Sequence, residues 1–179
     1  MGLNKQTQTK NAVYCFQGKL ITATTEKSTT TIEKNGKLYE TYNSLEGSID
    51  DIKIVDGYEG SKDIVVTIKD HEGETYNLQF GVNTGYFRSF SRMFPNLDVT
   101  KSFEIFCTFK EEDGKSKSGI VIKQNDSWVR RFYTYENMGD CPVAIPVEVN
   151  GNTTYDYTDQ NNFLLEAITA KFAKEKLPF

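Results

Sequence analysis

The chain has 179 residues, 37% apolar and 26% charged, with 21 Lys and Arg against 25 Asp and Glu for a formal net charge of −4. Such a length can bury a core unaided, and no apolar run approaches the roughly 20 residues of a membrane helix, which excludes a membrane partner. The three cysteines (Cys15, Cys107, Cys141) are far apart and lack Cys or His neighbours, which excludes a disulfide framework and a zinc site; with a polar Met1 to Lys10 lacking a signal-peptide core, the expected location is cytoplasmic.

Residues 1–12, rich in Lys, Gln, Thr and Asn, read as a disordered leader. Tyr14 to Ala23 is strand-like. Thr29 to Glu33 and Lys37 to Tyr42 flank Asn35-Gly36, a pair that tolerates the positive φ of a two-residue turn, so a hairpin arm is expected there. Leu45 to Val55 reads as a strand with a bulge at Gly47, and the Asp56-Gly57 and Asp70 to Gly73 turns lead into strands over Asp63 to Lys69 and Glu74 to Phe80. Thr84 then caps a helix with Tyr86, Phe87, Phe90, Met93 and Phe94 on one face, Arg88 and Arg92 together on the other, and Pro95 as its end. Strands over Phe103 to Lys110, Lys117 to Gln124 and Trp128 to Tyr135 follow. Asn150-Gly151 marks another hairpin, and Asp159 opens a terminal helix whose Phe163, Leu164, Ala167, Ile168, Lys171 and Phe172 form one stripe, free to pack on the domain or on a partner.

Three strands, one helix and two or three further strands is the layout of an OB-fold. The expected fold is mostly β: an OB-like five-stranded antiparallel barrel within a domain spanning 13–158, with an added β-hairpin arm, one helix between the third and fourth barrel strands, and a C-terminal helix and tail over 159–179.

Catalytic chemistry finds few candidates. His71, the single histidine, lies in Asp70-His71-Glu72-Gly73, the composition of a solvated turn. Phosphate-loop and serine-hydrolase motifs are missing, and Asp50 and Asp51, adjacent in a strand, point to opposite faces. No enzymatic activity, cofactor or metal is expected.

Charge is unevenly spread. All four arginines fall between residues 86 and 131, where nine Lys and Arg face six Asp and Glu, whereas Phe132 to Ala170 holds no Lys or Arg. Trp128-Val129-Arg130-Arg131-Phe132-Tyr133-Thr134-Tyr135 interleaves rings and cations, the mixture that sequence-tolerant single-strand binders use to stack bases and neutralise phosphates. As a strand it would show Trp128, Arg130 and Phe132 on one face and Arg131, Tyr133 and Tyr135 on the other; equally, one aromatic row fills a barrel core and the arginines line its rim. Lys110, Lys117 and Lys123 extend the cationic track, as do Arg88 and Arg92 from the helix, while Tyr39 and Tyr42 put rings on the arm.

The motifs Gly18-Lys19-Leu20, Tyr39-Glu40, Leu45-Glu46-Gly47-Ser48-Ile49, Gly85-Tyr86-Phe87, Pro95-Asn96-Leu97-Asp98, Gly119-Ile120-Val121-Ile122-Lys123-Gln124, Tyr133-Thr134 and Tyr155-Asp156 resemble, in order and spacing, the single-stranded-DNA-binding proteins of large tailed bacteriophages, crAss-like phages and their relatives included. The resemblance implies an OB-like core that binds and protects single-stranded DNA during phage genome replication in the infected bacterial cell, with no cofactor. The final Leu177-Pro178-Phe179 is similar to the Pro-Phe tip by which bacterial single-strand binders recruit replication and recombination proteins, although Lys174 and Lys176 stand where that tail is acidic. Two other classes fit the composition: a structural or assembly β-protein of a virion, and a protein-interaction module of a replication or recombination complex.

Overall fold

The computed structural model describes residues 11–176. Its first hairpin pairs β1 (Asn11–Phe16) with β2 (Lys19–Thr24) across a Gln17-Gly18 turn in which both residues have positive φ. The stretch read as one strand over Tyr14 to Ala23 is therefore two, and β1 begins inside the expected leader, of which residues 1–10 lie outside the described residues. The arm forms as expected: β3 (Thr31–Lys34) and β4 (Lys37–Tyr42) meet at Asn35-Gly36, with φ of 50° and 71°, and β4 lies along β2.

β5 (Ser44–Asp56) organises the rest. Its opening residues pair with β8 (Phe103–Glu112) and its remainder with β6 (Lys62–Lys69), which continues into β7 (Thr75–Gly81). The register slips between Ile49 and Asp51, not at Gly47; a β-carbon on Gly47 would overlap the Lys69 carbonyl oxygen, so that glycine permits a close strand approach. β9 (Lys115–Gln124) returns beside β8, and the two-residue β10 (Ser127–Trp128) borders it. The order β10-β9-β8-β5-β6-β7-β1-β2-β4-β3 makes one ten-stranded sheet, unclosed by hydrogen bonds, and β11 (Ile145–Val149) with β12 (Asn152–Asp156) forms a separate hairpin at Asn150-Gly151.

Period-two alternation points Ile64, Val66 and Ile68 of β6, Leu78 and Phe80 of β7, and Ile105 and Ile122 of the β8–β9 pair into a common core. Helix α1 (Gly85–Met93) covers it with Phe87, Phe90 and Met93. Thr84 caps α1 as expected, its Oγ accepting from the Phe87 N–H at 3.2 Å. Ser89 Oγ accepts from the Ile120 N–H at 2.6 Å, so the helix satisfies a sheet donor directly. Pro95 falls in a short 3-10 turn, Phe94–Asn96, that closes the helix.

The sheet curls. The β1–β2 turn reaches β8, where a β-carbon on Gly18 would stand 3.2 Å from the Phe109 backbone nitrogen, and the Tyr86 hydroxyl of α1 accepts from the Gly18 N–H at 3.4 Å. On the same seam, hydrogen bonding to the Cys107 thiol together with burial pushes the Cys15 thiol far above its ordinary range. Helix α2 (Thr158–Lys176) packs in cis: Leu164 and Ile168 join the core, and Lys171 Nζ donates to the Phe94, Pro95 and Leu97 carbonyls at 3.1, 2.9 and 2.6 Å. Among the described residues no helix is long and apolar enough to cross a membrane.

Candidate functional site

The ring-and-cation segment leaves the sheet after two residues. Asn125 and Asp126, both at positive φ, turn the chain so that Trp128 pairs with Lys123, and the Val129 N–H still reaches the Ile122 carbonyl at 2.9 Å. Beyond it Asn96 Nδ2 donates to the Arg130 carbonyl at 3.0 Å, and the Phe132 and Tyr133 N–H groups donate to the Arg92 carbonyl at 2.7 and 3.4 Å. The expected strand over 128–135 is thus a strand only at Ser127–Trp128. The physical reason is the end of α1, where the Arg92 carbonyl takes its donors from this segment and draws the chain off the sheet.

Arg88 and Arg92, one helical turn apart on α1, face the residues that enclose the site. The Arg88 guanidinium lies 3.9 Å from the Tyr157 ring centre, and its Nη1 donates to the Asn83 carbonyl at 3.3 Å. Burial pulls the Arg88 pKa down, against the opposing influence of Tyr157. Arg92 shares that side of α1 with Arg88, as the spacing predicts, but it is only 4% exposed, because Gln160 of α2 and Tyr135 lie against it. Its Nη2 donates to Gln160 Oε1 at 2.9 Å, its guanidinium lies 4.6 Å from the Tyr135 ring centre, and its Nε, buried, has no hydrogen-bond partner. Gln160 is fixed in turn by donating to the Pro142 carbonyl at 2.7 Å. A hydrogen bond from Arg92, reinforced by the charges of Arg92, Arg131 and Arg88, holds the Tyr135 phenol below its ordinary range. Arg92, Gln160, Met138, Tyr135, Tyr155 and Tyr157 border a pocket of about 360 Å³.

Counterions separate this site from the rest of the surface. Among the described residues every ion pair is made by a lysine or by His71, and none by an arginine. A guanidinium taken out of water without a carboxylate beside it bears a desolvation penalty of several kcal/mol. The arrangement is chemically ready for an anion, and its three tyrosines offer flat faces next to it.

Of the residues singled out from sequence, Arg88 and Arg92 share one side of α1 and Tyr135 lies against Arg92, while Arg131 is exposed. Trp128 is exposed on the outer face of the sheet, edge-on to Phe106 at 5.6 Å. Phe132 is exposed, and Tyr133 is half-buried between it and Phe163 of α2. Arg130 is exposed. Lys110 and Lys117 share Glu112, and Lys123 stands 3.5 Å from Asp126, so each lysine of the expected cationic track already faces a carboxylate. On the arm Tyr39 is half-buried, and Tyr42 faces a separate cleft of about 790 Å³ bordered by Leu20, Tyr76, Glu46, Asp70 and His71, with no arginine in its wall. Leu177, Pro178 and Phe179 lie outside the described residues. Sequence reasoning missed Tyr155, Tyr157 and Gln160 as site residues; the two tyrosines sit two apart at the exit of an Asn-Gly hairpin, a signal that was readable. Among the described residues no cluster of three or more His, Cys, Asp or Glu side chains is arranged to hold a metal ion.

Comparison with protein-family models, with curated proteins and with solved structures yields no match to any of them.

Proposed function

We propose that the chain is a non-catalytic protein that binds single-stranded DNA without sequence preference, protecting it during bacteriophage genome replication in the cytoplasm of the infected cell. The observation that carries this reading is that Arg92 lies over the Tyr135 ring and Arg88 over the Tyr157 ring, with no arginine ion-paired among the described residues. Phosphates supply the missing negative charge, and bases stack on the rings at about 1–3 kcal/mol each. Trp128 and Phe132, exposed on the segment that leads into the site, extend the stacking surface. The hydrogen-bonded order β7-β6-β5-β8-β9, with α1 between β7 and β8, supports an OB-like five-stranded barrel opened between β7 and β9, to which β1–β4 are added. The test is a fluorescence-anisotropy titration of labelled oligo-dT at ~50 mM salt, where phosphate contacts are strong. Binding that quenches Trp128, weakens with salt and discriminates against duplex supports the reading; no binding to any single strand overturns it.

A second reading, a protein-interaction module, draws on the β11–β12 hairpin. All ten of its strand residues are exposed, and Ile145, Val147 and Val149 share one uncovered face. If that face is the working surface, Ile145→Ser with Val147→Ser abolishes association with replication proteins while oligo-dT affinity stays unchanged.

A further inference from the structure

The pocket between α1, α2 and the exit of β12 has two kinds of wall. One side is cationic: Arg92, 4% exposed, borders the cavity, and its buried Nε has no hydrogen-bond partner within the protein. The other side is aromatic and apolar, with Tyr155 and Tyr157, ring centres 6.3 Å apart and tilted, beside Met138. Gln160 accepts from Arg92 Nη2 and donates to the Pro142 carbonyl, but as an uncharged amide it leaves the guanidinium charge uncompensated. The unmet requirements are one anion at the guanidinium and one flat apolar group against the rings. At about 360 Å³ the cavity is within the roughly 300–1,000 Å³ of small-ligand pockets.

We infer that this pocket holds a single nucleotide unit, its phosphate against Arg92 and its base against Tyr155 and Tyr157. Within a bound strand, this is one nucleotide turned out of the track into the protein, so the inference deepens the single-strand reading by giving it an anchored subsite. Exposed cations and rings elsewhere on the surface hold the strand loosely and exchange along it. The anchored unit fixes its register. A phosphate of the strand and the phosphate of a free nucleotide offer the same chemistry, and the experiment separates them.

The experiment follows the ³¹P resonance of dTMP on titration with the full chain, adds inorganic phosphate and thymidine as single-feature competitors of dTMP, and then competes dTMP against labelled oligo-dT. Expected are saturable dTMP broadening, binding at least tenfold weaker for inorganic phosphate and for thymidine, and displacement of dTMP by the oligonucleotide. Arg92→Gln abolishes dTMP binding. Because Arg92 is buried, Tyr155→Ala serves as the second variant: it lies on the exposed hairpin, keeps the fold, and weakens dTMP about tenfold, the loss of roughly one stacked base. If oligo-dT binds but dTMP neither binds nor competes, and Tyr155→Ala leaves oligo-dT affinity unchanged, the subsite is wrong and the single-strand reading stands. If dTMP binds and no oligonucleotide does, the pocket stands and the strand reading falls.

Discussion

The β8–β9 hairpin and the face built by α1, α2 and the exit of β12 both carry several positive charges and dispose of them in opposite ways. On the hairpin, Lys110 and Lys117 share Glu112, and Lys123 has Asp126; these side chains are solvated, and such pairs are worth about 0–1 kcal/mol each. On the helical face, Arg88 lies against the Tyr157 ring and Arg92 against the Tyr135 ring, and no carboxylate pairs with either among the described residues. The lesson is that a count of cations along the chain does not locate an anion site. What locates it is a set of cations whose counterions the fold has withheld.

The helical face depends on α1 being held against the sheet, so the largest expected effect comes from undermining that contact. Phe90 is fully buried, with the Phe80 and Phe94 rings each 5.5 Å away, and Phe90→Ala should destabilise the fold by about 3–5 kcal/mol in urea titrations. It should also weaken oligo-dT binding while leaving the hairpin ion pairs in place. Next in size, Tyr157→Ala removes the ring beneath Arg88 and should lower oligo-dT affinity about tenfold, in line with the loss of one stacking partner.

A pH titration probes the same cluster without mutation. Tyr135 ionises below the ordinary value of about 10 for a tyrosine, because Arg92 hydrogen-bonds to it and the arginine charges favour the phenolate. The depressed pKa adds stability only on the alkaline side: it is complete above the unfolded-state value and gone once pH falls through the folded-state value, so it contributes nothing at neutrality. The phenolate competes with phosphate for the arginines. Oligo-dT affinity should therefore fall as pH rises through the Tyr135 transition, bound oligo-dT should push that transition upward in phenolate absorbance, and Tyr135→Phe should abolish both effects. The smallest effect belongs to the hairpin: Glu112→Gln frees Lys110 and Lys117 and should raise oligo-dT affinity by less than about threefold, as expected for exposed pairs.

The parts of this architecture that a sequence reader can see are those imposed by local chemistry. Asn35-Gly36 and Asn150-Gly151 form hairpins because both positions need positive φ, Thr84 caps α1 because an oxygen is required there, and the alternation of β6 and β7 survives because one face must be buried. The hidden parts answer to distant partners. Gln17 at positive φ does not announce a turn, so β1 and β2 read as one strand. The 129–135 segment has strand composition, yet the carbonyl end of α1 claims its N–H groups. Arg92 belongs by periodicity to a polar stripe, but Gln160, 68 residues further on, arrives with α2 to bury it. Pairing of Lys110 and Lys117 with Glu112 follows from the β8–β9 register, in which Lys110 faces Lys117 and Glu112 stands two residues beyond Lys110.

The salt dependence of oligo-dT affinity, compared between an Arg88→Ala/Arg131→Ala variant and a Lys110→Ala/Lys117→Ala variant, tests the central claim most directly. Each lost phosphate contact on a single strand reduces the log–log slope by about 0.7. The arginine variant should lose about 1.4 of slope and at least tenfold in affinity, with the lysine variant matching the parent chain; a lysine variant that loses the slope while the arginine variant keeps it contradicts the account.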